Sequence, residues 1–244
     1  ITPGNGSNDI LELVARAFIL PGDEAVYSQH AFAVYPLAVM ACSGKGIEVP
    51  ARDFGHDLDA MAAAITSATK VVFIANPNNP TGTVTPLADI EWLANNKPKD
   101  SILVVDEAYI HWFDGPNAAK LAASRDDVLI LRTFSKLFGM AGMRLGLTFA
   151  SPALMQKMMR YDGGQVTAML PMTAVAAGTV SVAQADLIKA RRDLGIRMRS
   201  DKAQNGWPTV GPRTVTAMAN GAARLKGADR RVPGLRGGRH GDQK

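Results

Sequence analysis

The sequence has few of the residues that build disulfides, metal clusters or membrane spans. Its 244 residues include one cysteine, Cys42, which excludes an intrachain disulfide framework and any cysteine-rich metal site. The four histidines lie far apart, so they form no local ligand pair and no metal is expected. No apolar run approaches the roughly 18 to 20 residues of a membrane-spanning helix, so no membrane partner is expected. With 47% hydrophobic and 20% charged residues, the composition is that of a soluble globular protein.

The net charge of +5 comes from the C-terminal part of the chain. Residues 1–188 carry 13 Lys and Arg against 18 Asp and Glu, whereas residues 189–244 carry 14 against four. From Arg197 onward only five Ile, Leu, Val or Phe residues occur. So little apolar surface cannot repay the entropy of ordering, and residues 193–244 are expected to be a basic Gly- and Arg-rich tail that is disordered or aberrant. Because its basic residues are not interleaved with aromatic ones, no nucleic-acid partner is expected, although nucleic-acid binding stays an alternative for the tail.

Apolar periodicity predicts alternating helices and strands. Residues 8–20 repeat apolar side chains at helical spacing, with Ser7 or Asn8 as the expected N-cap. Asp57 is expected to cap a second helix, and two further helices are expected at residues 32–41 and 86–94. A short strand is expected at residues 25–27. Four continuous apolar segments of strand length are residues 71–74, 102–105, 128–131 and 145–149. Continuous apolar strands separated by helices predict an α/β fold whose central sheet is mostly parallel and flanked by helices.

Polar segments cluster where the strands of such a sheet end, which is where ligands bind. These segments are residues 4–8, 76–82, 106–109 and 132–136, the last followed by Arg144. A glycine-rich turn that opens a helix favours an anion, and a lysine of lowered pKa attacks carbonyl carbons. Taken singly, each segment is also typical of an ordinary turn, a strand end or a surface lysine. A nucleotide-bound metal at Asp106 would require a Gly-Lys-Ser/Thr loop, which the sequence lacks.

Taken together, the segments resemble a known family. GNGSND, NPNNPTG, DEAY and TFSKLFGMAGMR stand in the order and spacing of the fold-type I aminotransferases (class I/II), which use pyridoxal 5'-phosphate (PLP), and are similar to the histidinol-phosphate aminotransferase group. The resemblance covers about residues 3–160 and none is found after about Arg192. It implies that residues 1–160 are part of the large PLP-binding domain and residues 161–192 a helical continuation.

The resemblance also implies a role for each matching residue. Lys136 matches the lysine that bonds to the cofactor and later moves the proton, and Asp106 the carboxylate that pairs with the pyridinium nitrogen. Tyr109 and Asn79 match the donors to the ring's 3-hydroxyl oxygen, and Tyr109 is counted with the catalytic residues. Phe32 stands where the family stacks an aromatic ring on the cofactor. The residues that match the phosphate site are Gly6, Ser7, Asn8, Thr133, Ser135 and Arg144.

The implied reaction transfers an amino group from histidinol phosphate, or a related donor, to 2-oxoglutarate in histidine biosynthesis, by a cytoplasmic homodimer. Residues 163–171 replace the family's usual Pro-Phe-Asn-Val-Asn stretch, which leaves open an aromatic aminotransferase or a PLP lyase of the same fold. The family's N-terminal arm and small C-terminal domain are not recognised, so truncation at both ends is expected. An inactive remnant, with at most trace transamination, is therefore a further alternative.

Overall fold

The computed structural model describes residues 1–162 and 170–204, with side chains given as far as residue 196. Within these residues seven strands form one sheet: β1 (Thr2–Asn5), β2 (Glu24–Ser28), β3 (Lys45–Val49), β4 (Thr69–Ala75), β5 (Ile102–Asp106), β6 (Val128–Thr133) and β7 (Leu145–Phe149). Their order is β1-β7-β6-β5-β4-β2-β3. The five strands from β2 to β6 are parallel, whereas β7 is antiparallel to both of its neighbours.

Helices cover both faces of this sheet. Those in the described residues are α1 (Gly6–Phe18), α2 (Val34–Ala41), α3 (Leu58–Ala64), α4 (Leu87–Asn96), α5 (Ala119–Ser124), α6 (Pro152–Met159), α7 (Met172–Ala183) and α8 (Ala185–Gln204). Helices α1, α2 and α6 bury their apolar residues in a core on one face, and α3, α4 and α5 in a core on the other. The predicted α/β architecture with a mostly parallel sheet is confirmed.

Strand β5 shows why the apolar segments are continuous. Ile102 and Val104 belong to one core, whereas Leu103 and Val105 belong to the other. Successive side chains of a strand point to opposite faces, so a strand covered on both sides needs apolar residues at every position. The same alternation holds along β6.

Some local features differ from the predictions. The N-cap of α1 is Asn5, not Ser7 or Asn8, because the helix begins at Gly6 directly after β1. Strand β1 contains a proline and a glycine, which disfavour strands, so apolar periodicity does not predict it. It lies at the edge of the sheet, where a proline is tolerated. Strand β3, at the other edge, is exposed at most positions and so lacks the apolar pattern that identifies the inner strands.

The boundary of the basic tail stays a prediction. Residues 1–194 form one compact unit, and the second unit begins at Gly195. The described part of that second unit is the end of α8, as far as Gln204. The expectations for residues 163–169 and 205–244 lie outside the described residues. None of the helices in the described ranges is both long and apolar enough to cross a bilayer.

A cluster of charged side chains links the residues that directly precede β5 and β6. The Lys97 side chain is fully buried, and its Nζ donates to the carbonyl of Ser101 (2.6 Å) and to Asp127 Oδ2 (2.7 Å). Arg125 Nε donates to Asp127 Oδ1 at 2.8 Å. Burial alone would raise the pKa of Asp127, but the hydrogen bonds from Arg125 and Lys97 outweigh it and hold that pKa below its ordinary value. Asp127 therefore stabilises the fold as a carboxylate.

Asp127→Asn is expected to lower the free energy of unfolding by about 2 kcal/mol at neutral pH, because hydrogen bonds to a charged acceptor are lost. The folded pKa of Asp127 lies below the unfolded one, so its contribution is present above the unfolded pKa and is lost as the pH falls through the folded pKa. The difference between variant and parent should therefore shrink below about pH 4 in urea unfolding. Asp100→Asn is the control: Asp100 also pairs with a lysine but is 66% exposed, and should cost less than about 0.5 kcal/mol. Equal losses in the two variants would contradict the assignment.

Candidate active site

A cavity of about 290 Å³ opens where the parallel strands β4, β5 and β6 end. Neighbouring strands bring those ends into register, since Ala75 pairs with Asp106 and Asp106 with Leu131. Ten of the eleven predicted site residues line the cavity: Ser7, Asn8, Phe32, Asn79, Asp106, Tyr109, Thr133, Ser135, Lys136 and Arg144. The eleventh, Gly6, lies behind Arg144. The sheet thus brings together residues from the four polar segments of the chain, and Phe32 and Arg144 join them in the cavity.

The guanidinium of Arg144 makes one end of the cavity positive. Its Nη1 donates to the carbonyl of Ala141 at 3.2 Å and its Nη2 to that of Asn5 at 3.4 Å, and no carboxylate among the described residues pairs with it. Gly6 has a φ of +80°, and a Cβ there would collide with the Arg144 guanidinium. Glycine at this position therefore serves two needs, the left-handed backbone and the space for Arg144. An uncompensated guanidinium beside hydroxyl groups is suited to bind an anion.

The start of α1 adds donors to the same end. No side chain caps this helix, because Asn5 makes no capping hydrogen bond. The first backbone N–H groups of a helix lack partners within the helix, and the helix dipole makes this end favourable for negative charge. Ser7 and Asn8 carry such groups and line the cavity, as do the hydroxyl-bearing residues Thr133 and Ser135. The positive end of the cavity is therefore suited to a phosphate group.

Asp106 is a buried carboxylate at the end of β5. The phenol of Tyr35 donates to its Oδ2 at 2.9 Å, and the backbone N–H of Ala108 donates to its Oδ1 at 3.1 Å. Burial raises the pKa of Asp106, and these two hydrogen bonds and the charge of Lys136 oppose that rise. A carboxylate held in this way is poised to pair with a positively charged nitrogen inside the cavity.

Lys136 follows β6 and faces Tyr109 across the cavity. Its Nζ lies 4.9 Å from the centre of the Tyr109 ring, a cation–π contact. Among the described residues, no carboxylate lies within ion-pair distance of Lys136, in contrast to Lys97. An amine without an ion-pair partner, in a cavity that also holds a buried carboxylate, can react with a carbonyl carbon that enters it.

The asparagines of residues 76–82 have distinct roles. Asn76 Nδ2 and Oδ1 bond to the carbonyl and N–H of Thr85, which closes the loop. Asn78 Nδ2 donates to the carbonyl of His30 at 2.8 Å, which ties the loop to the segment before Phe32. Asn79 is left to line the cavity. His30 stacks on Phe54 and is not among the residues that line the cavity.

Tyr35 is the residue of the site that the sequence did not reveal. It is fully buried, stacks on Phe73 (4.7 Å between ring centres) and meets the edge of Phe32 (5.9 Å). It therefore contacts both Asp106 and Phe32. Its only sequence signal is its position three residues after Phe32 at the start of a helix, which is equally typical of a core aromatic.

No group of three or more His, Cys, Asp or Glu side chains in residues 1–162 and 170–204 is arranged to hold a metal ion. Within the cavity the acidic group is Asp106, whose oxygens both accept hydrogen bonds from the protein. The polar groups of the cavity are thus an amine, a guanidinium, hydroxyls, two amides and one carboxylate, a set that suits an organic anion.

The chain is similar in sequence to aminotransferases. The model of the family "Aminotransferase class I and II" matches residues 1–223, and so extends beyond Arg192, after which the motifs gave no resemblance. Histidinol-phosphate aminotransferase 1 of Cupriavidus pinatubonensis is 44% identical over 203 residues, which is 82% of this chain and 51% of that protein. Histidinol-phosphate aminotransferase of Methylobacillus flagellatus is 50% identical over 178 residues, or 71% of this chain and 48% of that protein. The chain thus spans about half the length of these curated relatives.

A solved structure agrees with the sequence relatives. Histidinol-phosphate aminotransferase from Sinorhizobium meliloti, in complex with pyridoxal 5'-phosphate, superposes with a TM-score of 0.73 at 27% identity. The match covers 78% of this chain and 52% of that one. Because the family model matches most of the chain and the sheet carries the family's motifs into one cavity, the chain belongs to the class I and II aminotransferases.

Proposed function

We propose that the chain binds PLP in this cavity and transfers the amino group of histidinol phosphate to 2-oxoglutarate, a step of histidine biosynthesis. One observation carries the proposal: a single cavity holds the amine of Lys136, the buried carboxylate of Asp106 and the uncompensated guanidinium of Arg144. These three groups match the aldehyde, the ring nitrogen and the phosphate of PLP. The names of the curated relatives support the choice of donor.

The residues present fit the cofactor. Arg144, the hydroxyls beside it and the start of α1 would hold the phosphate, with Gly6 leaving the space that Arg144 needs. Asp106 would pair with the ring nitrogen and Phe32 would cover one ring face. Asn79 and Tyr109 would donate to the ring's 3-hydroxyl oxygen. When bound, PLP supplies the carbonyl carbon that receives the amino group and a ring that withdraws electrons from the substrate's Cα.

The chain's own residues would then transfer the Cα proton and stabilise the charge on the ring nitrogen of the cofactor. Lys136 Nζ would take the proton from the substrate's Cα and deliver it to the cofactor carbon that was the carbonyl carbon of PLP. Asp106 would hold a proton on the ring nitrogen, and Tyr35 fixes the direction of that carboxylate through its 2.9 Å hydrogen bond. Tyr109 lies against Lys136 and limits where its amine can move.

A second donor class is worth testing in the same assay. Residues 163–171, which lie mostly outside the described residues, differ from the stretch expected of histidinol-phosphate aminotransferases. Aromatic amino acids are therefore the second donor of the proposal.

We place the reaction in the cytoplasm, since a phosphorylated donor and a keto acid are charged metabolites that do not cross membranes freely. A homodimer, in which the neighbouring subunit would complete the site, belongs to the same proposal.

The test is glutamate production from 2-oxoglutarate with each donor in turn. The chain of 244 residues is compared with a version extended at both ends by the matching sequence of the Cupriavidus relative. Because remote binding energy positions the Cα–H bond, the extended version should be much faster, and faster with histidinol phosphate than with phenylalanine. The same extended version carrying Lys136→Ala is the control for background. An extended version that binds PLP but forms glutamate from neither donor would overturn the proposed reaction.

A further inference from the structure

Two neighbouring arginines of α8 contact the two segments that carry Lys136 and Tyr109. Arg191 Nη1 donates to the carbonyl of Phe138 at 2.9 Å and to that of Leu137 at 3.3 Å, immediately after Lys136. Arg192 Nη2 pairs with Asp114, five residues after Tyr109. Nothing in the sequence connects α8 with the site, since both arginines are typical of the exposed surface of a helix.

The turn after Lys136 leaves space for the guanidinium of Arg191. The N–H of Gly139 donates to the carbonyl of Lys136 at 3.0 Å and so closes the turn. Gly139 has a φ of +71°, and a Cβ there would lie 3.1 Å from Arg191 Nη1. The glycine therefore allows both the left-handed turn and the close approach of the guanidinium. A Cβ at this position would press against Arg191 Nη1 and require it to move by a few tenths of an ångström.

The two segments also contact each other, so that holding both fixes their spacing. Phe138 packs edge-on against His111, with 5.1 Å between ring centres, and lies 4.5 Å from Phe134. His111 is two residues after Tyr109. The spacing of the segments determines the 4.9 Å contact between Lys136 Nζ and the Tyr109 ring.

We propose that Arg191 and Arg192 are positioning residues that hold the Lys136 turn and the Tyr109 segment at a fixed spacing, and thereby set how Lys136 meets the cofactor. The inference rests on the proposed PLP site and adds to it a device outside the cavity. Arg191 acts by donating from a single nitrogen, Nη1, to two successive carbonyls of one turn. Arg192 acts as an ion pair with Asp114, in which the arginine is the less exposed partner.

The test compares Arg191→Met and Arg192→Met with Lys189→Met, all in the full chain. Lys189 lies on the same helix and pairs with Asp193 one turn along, so its substitution controls for loss of charge on α8. The first readout is amide hydrogen exchange without PLP. We expect about tenfold faster exchange in residues 134–140 for Arg191→Met and in residues 107–118 for Arg192→Met, the factor that corresponds to about 1.4 kcal/mol. Lys189→Met should change neither segment.

The second readout separates positioning from mere stabilisation. PLP is added, and the pH midpoint of the absorbance change of the bound cofactor is measured together with its release rate. Both arginine variants should shift the midpoint and release PLP about tenfold faster, whereas Lys189→Met should match the parent chain. Faster exchange with an unchanged midpoint and release rate would overturn the positioning role.

Failure of the proposed function is distinguishable from failure of this inference. If the parent chain binds no PLP, the proposed function fails, and hydrogen exchange alone then decides whether the arginines hold the two segments. If the parent binds PLP and both arginine variants behave like Lys189→Met in both readouts, the inference fails and the proposed function stands.

Discussion

Lys136→Ala is expected to abolish covalent capture of PLP by the chain. In the parent chain, PLP followed by borohydride should leave a stable label on the peptide that contains Lys136, because its amine lines the cavity without a carboxylate partner among the described residues. With alanine at this position the label on that peptide should disappear, and total labelling should fall to the level of surface lysines. The measurement is peptide mapping by mass spectrometry after reduction.

Lys157→Ala is the matched control. Lys157 Nζ lies 5.3 Å from the centre of the Phe18 ring, much as Lys136 lies over Tyr109, but it does not line the cavity. In the parent chain Lys157 should carry no more label than other surface lysines, and Lys157→Ala should leave the label on Lys136 unchanged, as expected if the cavity rather than a cation–π contact determines reactivity. Strong labelling of another lysine, with Lys136→Ala binding PLP as well as the parent, would refute the assignment of Lys136.

The inner sheet and most of the cavity could be predicted because their signals are local. A strand covered on both faces must be apolar throughout, so β4, β5 and β6 were visible in the sequence within two residues at each end. Parallel strands end at one edge, so polar residues after consecutive strands meet there, as Asp106 and Thr133 do. The identity of the ligand, by contrast, came from the resemblance of the motifs to a family and not from periodicity.

What could not be predicted depends on contacts between distant parts of the chain. Tyr35 and Asp106 are 71 residues apart, and nothing in either segment specifies their hydrogen bond. Arg191 lies more than 50 residues from the carbonyls it contacts. Edge strands are a different case: among the described strands β1 and β3 lie at the two margins of the sheet, and their faces are only partly covered, so they need no continuous apolar pattern. Sequence periodicity therefore recovers the covered centre of this sheet better than its margins.

Asp106→Asn is expected to slow the chemistry at the substrate's Cα by roughly 10²- to 10³-fold, the usual effect of losing one preorganised electrostatic group. An amide has nearly the same shape as the carboxylate but cannot hold a proton on the ring nitrogen by its charge. The measurement is exchange of the Cα hydrogen of the donor with deuterated water, followed by mass spectrometry. Tyr35→Phe, which keeps the carboxylate and removes one hydrogen bond to it, should cause a smaller loss of about tenfold.

The pH dependence of binding gives a second, independent check on Asp106. Burial raises the pKa of this carboxyl, so as the pH falls it should become protonated earlier than an exposed aspartate and PLP affinity should weaken. Asp106→Asn should bind PLP more weakly at neutral pH and lose this acid-side dependence.

A metal-binding role for Asp106 makes the opposite prediction, since a chelator would then remove activity and Mg²⁺ would restore it. Because both oxygens of Asp106 already accept hydrogen bonds from Tyr35 and Ala108, chelation should leave exchange at Cα unchanged.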